Sequence, residues 1–265
     1  MPIIIKKQDE LDRMRAAGGV AARIKLELAK AVTPGATTHD LDMYAKELID
    51  SWGAKSCFIG YKGAAPTPYP AYTCISVNDT VVHGIPNRRP IELGDIVSID
   101  VGVYFEGFVG DNATTVMVGV TDPDVINLVQ TAELALQKAI EQAVEGKRLS
   151  DISHAVEKAA KAAKRPGGGK PGYAVVRDFV GHGVGRSMHE EPQIKNYGPP
   201  GRGPKLKAGM TLAIEPMLNL GRAEVEVMSD HWTVLTRDRL PSCHVEHTVA
   251  VGKKKAEILT LPENV

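Results

Sequence analysis

Disulfides, membrane spans and net charge are what this 265-residue chain lacks. Its three cysteines, Cys57, Cys74 and Cys243, are odd in number, widely spaced and form no Cys-x-x-Cys pair. That pattern excludes a disulfide framework and a structural zinc knot, and points to a reducing cytosol. No stretch approaches the roughly 20 apolar residues of a membrane span. The opening MPIIIKKQDELDRM holds a three-residue aliphatic run before its charges begin, so a soluble, unexported, cytoplasmic protein is expected. Lys plus Arg and Asp plus Glu both total 32, which leaves no overall field to gather nucleic acid or an anionic membrane; a small substrate fits better. What the chain does have is 43% hydrophobic residues, enough for one large domain over 1–265.

Leu11, Met14, Ala21, Ile24 and Leu28 recur at helical spacing between charges, predicting an amphipathic helix over 8–31. After Pro34 and Gly35 a second helix is expected, with Thr38 as N-cap and Leu41, Tyr44, Leu48 and Ile49 on one face. Short β-rich runs follow to about residue 119. A long helix begins near 122 and extends to about 145, Gly146 interrupts it, another runs from Ser150 to Ala163, and strand-like runs return from Ala174. Helices before strands, twice over, give an α+β protein rather than a doubly wound sheet. A shift of 111 residues lays Gly35 on Gly146, Asp40 on Asp151 and Leu41 on Ile152. Glycine before an Asp-led helix is common punctuation, so this pattern leaves an internal duplication open. The GGGK within residues 164–172 has no strand leading in and no Ser or Thr after the lysine, so it reads as a loop and not a phosphate cradle.

The most informative stretch is IVSIDVGVYFEGFVGDNATTVMV, residues 96–118. Val97, Ile99, Val101 and Val103 alternate onto one face, so Asp100 projects from the other, mid-strand, where carboxylates are depleted. A tight hairpin around Glu106 and Gly107 would set Asp111 beside Asp100 across the ladder. Two anions so close repel unless a cation lies between them. Glu215 in MTLAIEPM and Glu246 in HVEHTVAV repeat the arrangement, each set against an aliphatic row. His182 in FVGHGVG, among glycines, supplies an imidazole to this carboxylate set. Four carboxylates call for two divalent cations, and oxygen-rich ligation with one imidazole suits Mn, Fe(II), Co or similar ions. Metals roughly 3.5 to 4 Å apart can share a water and lower its pKa toward about 7.

With these five residues in the order Asp, Asp, His, Glu, Glu, the chain resembles the methionine aminopeptidases of the bacterial type I class. The likeness covers nearly the whole chain through VHGIP at 82–86, SIDVG, Gly110–Asp111, GHGVG, MHEEP at 188–192, AIEPM and VEHT. It implies a pita-bread fold, two pseudo-symmetric halves around a curved, mainly antiparallel sheet with helices outside. It also implies two divalent ions (Co, Mn, Fe(II), Zn or Ni): Asp100 on one, His182 and Glu215 on the other, Asp111 and Glu246 bridging, with Glu215 also shuttling protons. By the same resemblance His83 acts near the substrate amine, His189 steadies the carbonyl oxygen, and Cys57, Tyr61, Tyr69, Cys74 and Trp232 form the methionine pocket.

The chain departs from that pattern in the long KGAAPTPYPAYT loop between Tyr61 and Cys74, in Met188 where an aromatic is frequent, and in His231 where glycine is usual. Prolidases and aminopeptidases P share the ligands but carry a large N-terminal domain, for which the 80 or so residues before VHGIP leave no room. A non-catalytic relative would have lost ligands. The resemblance further implies that nascent polypeptide N-termini are the substrates, with transient ribosome association, a monomeric state and no nucleic-acid specificity. Lys253, Lys254 and Lys255 read as a solvated turn. Pro2 is small enough for Met1 to be removed from this chain.

Overall fold

The computed structural model describes residues 2–265, so the expectation about Met1 lies outside the described residues. Helix α1, Gln8–Ala31, buries Met14, Ala21, Ile24 and Leu28 at the predicted spacing. It lies so close to the sheet that a β-carbon on Gly110 would stand 2.2 Å from the Ala17 carbonyl oxygen. Only glycine fits beside Asp111. Helix α2, Thr38–Ser51, starts one residue away from the expected cap: Thr37 accepts the Asp40 amide at 3.1 Å while the Asp40 carboxylate reaches back to the Thr37 amide at 3.3 Å. Thr38 is buried instead, its hydroxyl donating to the Asn87 carbonyl.

In the second half, α3 spans Pro123–Ile140, capped by Asp122, and ends earlier than the hydrophobic pattern suggested. Helix α4 spans Leu149–Ala162. Helices α2 and α4 are both 14 residues long and start 111 positions apart, at 38 and 149. Gly35 and Gly146 precede them in the same left-handed conformation, φ +91° and +88°. Their amides donate to Ile91 and Leu206 at 2.8 and 2.9 Å. The weak sequence repeat therefore corresponds to a structural one.

Every strand ladder among the described residues is antiparallel. The hairpin Ile96–Phe105 with Phe108–Met117 packs Val97, Ile99, Val101 and Val103 into one core with α1 and α2. Leu212, Ile214, Val245, Val249 and Val251 pack into the other with α3 and α4. The halves meet along a seam: the Glu246 amide donates to Ala113 at 3.1 Å, Thr248 Oγ1 to the Asp111 carbonyl at 2.8 Å, and Thr115 Oγ1 to the His244 carbonyl at 2.7 Å. The carboxylates singled out in the sequence converge on this seam.

Two details of their placement differ from expectation. The hairpin turns between Glu106 and Gly107, both at positive φ, so Phe105 faces Phe108 and Asp100 faces Ala113. Asp111 faces Gly102, which leaves the two aspartates diagonal on one face and not directly opposite. Glu215 and Glu246 do not sit within strands. The strand Thr211–Ile214 stops before Glu215 and resumes at Met217, because Pro216 cannot donate to a ladder. The facing strands Ser242–His244 and His247–Ala250 break at Val245 and Glu246. Since Ile214 pairs with His247 and Met217 with His244, the two interruptions lie opposite each other.

Candidate active site

His182 enters from the short strand Gly181–Gly183, paired with Ala213. A β-carbon on Gly183 would meet the Glu191 carbonyl oxygen at 2.2 Å, so the flanking glycine is a packing requirement. His182 Nε2 lies 3.7 Å from Asp111 Oδ2 and 3.6 Å from Glu215 Oε1. One ligand atom each from Asp111, His182 and Glu246 falls within a 4.8 Å cluster. His182 Nδ1 contacts the Gly183 carbonyl at 2.9 Å; a proton donated there leaves Nε2 free to ligate.

The electrostatics favour a cation. Asp100 Oδ1, Asp111 Oδ1 and Glu246 Oε1 are buried without a hydrogen-bond partner among the described residues. Burial, then the neighbouring carboxylates, push Asp100, Glu215 and Glu246 well above the usual carboxylate range, and burial raises Asp111. Burial lowers His182 to about 3. Carboxylates crowded together in a buried site, beside a neutral imidazole with a free lone pair, are the donor set that a divalent ion would satisfy.

This cluster floors a cavity of about 490 Å³, whose lining also includes Tyr61, Tyr69, Cys74, His83, His189 and Trp232. His189 Nδ1 meets the Tyr61 hydroxyl at 2.8 Å, and its ring lies 4.4 Å from that of His182. His83, at φ +57°, presents its ring edge-on to Phe179 at 5.5 Å and to Trp232 at 6.3 Å. Burial lowers it to about 4. The Tyr69 hydroxyl donates to the Thr73 and Gly84 carbonyls, and Trp232 Nε1 donates to the Thr67 carbonyl within the long loop. Cys57 is the exception: it is buried in the same apolar cluster as Phe58 and Cys74 but does not reach the cavity wall. His231 is exposed and away from the lining, whereas Met188 is part of it.

The lining also includes residues not singled out in the sequence, among them Phe58, Asp178, Phe179, Gln193 and His244. His244 is the most consequential, since its buried Nε2 has no hydrogen-bond partner among the described residues and lies 3.6 Å from Glu215 Oε2. Its one signal was its position two residues before Glu246.

Residues 12–253 match metallopeptidase family M24. The methionine aminopeptidase of Clostridium acetobutylicum is 43% identical over 98% of this chain and 100% of its own length, and methionine aminopeptidase 1 of Bacillus subtilis is 43% identical over 97% and 99%. The chain belongs to the methionine aminopeptidases of family M24. The crystal structure of the methionine aminopeptidase from Thermotoga maritima superposes with a TM-score of 0.91 at 42% identity, covering 98% of this chain and 99% of that one. The prolidase of Pyrococcus furiosus shares the fold alone, with a TM-score of 0.70 at 22% identity, and this chain covers 65% of it. The architecture is thus the expected α+β pita-bread fold and the protein is a metalloaminopeptidase, using divalent metal ions as its family does.

Proposed function

We propose that this metalloaminopeptidase removes the N-terminal methionine from nascent polypeptides whose second residue is small, with two divalent ions held by Asp100, Asp111, His182, Glu215 and Glu246. The observation that carries the reading is that one cavity joins the unsatisfied carboxylate cluster to a wall of Tyr61, Tyr69, Cys74 and Trp232. Rings and sulfur suit a flexible thioether. Bound divalent ions polarise a carbonyl oxygen and lower the pKa of water. Four carboxylates would balance two such ions, with Asp111 and Glu246 among the residues that would hold them.

The chain's own groups then divide the proton work. Glu215, with its oxygens 3.6 Å from His182 Nε2 and His244 Nε2, accepts a proton from the attacking water and returns it to the departing amine. His83 is neutral at working pH and serves as hydrogen-bond partner to the substrate amine and scissile nitrogen. When the Tyr61 hydroxyl donates to His189 Nδ1, the His189 proton sits on Nε2, free to hydrogen-bond the carbonyl oxygen as negative charge develops. The protein acts as a monomeric single domain in the cytoplasm, meeting nascent chains through transient ribosome association. Hydrolysis of Met-Ala-Ser and Met-Leu-Ser by metal-reconstituted protein tests this, with Met-Ala-Ser strongly preferred and Glu215→Ala inactive on both. Equal cleavage of the two peptides refutes the small-residue preference, and activity surviving in Glu215→Ala refutes the proton assignment.

A further inference from the structure

Lys6, just before α1, forms an ion pair with Glu190, and the two side chains are only 3% and 8% exposed. Replacing such a buried pair by apolar groups commonly leaves stability unchanged or improved, so its presence points to geometry more than to stability. The geometry is specific. The second Glu190 oxygen accepts the backbone amides of Arg186 and Ser187 at 2.9 and 3.4 Å, which folds the 185–190 turn around its own carboxylate. A β-carbon on Gly185 would lie 2.5 Å from Glu190 Oε1 and 2.6 Å from Lys6 Nζ, so the turn closes tightly over the pair. The Lys6 amide donates to the Gly209 carbonyl at 2.8 Å, shortly before the strand that leads to Glu215. Arg186 adds an outer tie to Glu10 of α1 at 3.1 Å. Met188 and His189 emerge from this clamp into the cavity, and His189 is the polar one, its Nδ1 meeting the Tyr61 hydroxyl.

We infer that Lys6, through Glu190, is a positioning residue for His189, fixing the imidazole where it meets the substrate carbonyl. This rests on the assignment of His189 to that carbonyl. A group that acts on charge developing in the transition state affects turnover more than ground-state binding, and displacement of a catalytic group by about 1 Å can cost as much as 100-fold.

The test is a double-mutant cycle on Met-Ala-Ser hydrolysis between Lys6→Met and His189→Ala, with the Lys6→Met/Glu190→Gln pair as a second form of the first variant that leaves no unpaired buried charge. The expected result is a kcat about tenfold lower in either form with KM little changed, no further loss when either is combined with His189→Ala, and unaltered metal binding by calorimetry. Losses that multiply in the combined variant, a loss confined to KM or metal affinity, or full kcat in the Lys6→Met/Glu190→Gln pair would overturn the inference. If His189→Ala alone leaves kcat intact, the role of His189 fails and that of Lys6 with it, an outcome distinct from multiplying losses.

Discussion

Asp42 on α2 is far from the carboxylate cluster in sequence, yet it anchors the wall assigned to methionine. Asp42 is 3% exposed, and its carboxylate accepts the Tyr72 amide at 3.0 Å, the Thr73 amide at 2.8 Å and the Thr73 hydroxyl at 2.7 Å. Thr73 in turn offers its carbonyl to the Tyr69 hydroxyl and is followed by Cys74. Asp42→Ala strands two backbone donors and a hydroxyl. Thr73 is fully buried, while Tyr72 is half-buried and regains some hydration, so the net loss comes to about 3 kcal/mol. For a chain of this size that lowers the Tm by about 9 °C. Asp42→Asn keeps an acceptor and forfeits about 1 kcal/mol. Thermal unfolding followed by circular dichroism reads the first effect. The second is kinetic: KM for Met-Ala-Ser rises several-fold in Asp42→Ala while kcat moves less, because the wall loosens and the metal cluster does not. A Tm within about 1 °C of wild type, together with an unchanged KM, would refute the reasoning.

Metal binding should carry a pH signature. Carboxylates raised by burial and mutual repulsion hold protons that a cation must displace, so binding releases protons and weakens as pH falls through their raised values, about 7 for Asp111. Calorimetry in buffers of different ionisation enthalpy measures that release. Because these folded-state values lie above the unfolded ones, the metal-free protein binds more protons folded than unfolded and loses stability as pH rises through that window; thermal unfolding checks this, and added divalent ions should restore the loss. Trp232→Ala removes the edge contact with the Tyr69 ring at 5.3 Å and the hydrogen bond to the Thr67 carbonyl, so the KM for Met-Ala-Ser is expected to rise about tenfold with a small change in Tm.

Much of this site was legible because strand alternation is a strict code. Val97, Ile99, Val101 and Val103 could face the core only if Asp100 faced away, and the 111-residue shift became a real repeat because the capped helices need the same left-handed glycine before them. Register was harder. A turn one position further along the chain separates opposite from diagonal aspartates, and local sequence weighs those alternatives almost equally. Glu215 and Glu246 read as strand residues because their neighbours alternate, whereas the chain breaks there to cross between sheets, an outcome set by Pro216 and by the strand facing it. His244 and Phe179 stand at the edges of the quoted HVEHTVAV and FVGHGVG runs, but their place in the site is set by packing that local sequence does not specify. Cys57 matched a pocket position by motif, but its side chain stays within the apolar cluster.

Titrating metal-free protein with Mn(II) in a calorimeter while following Met-Ala-Ser hydrolysis probes whether two divalent ions, held by the five residues, are required for methionine removal. Wild type is expected to bind two equivalents, and Glu246→Ala to lose both the second equivalent and activity. Full activity without bound metal, or a Glu246→Ala variant that binds and cleaves like wild type, would contradict that requirement.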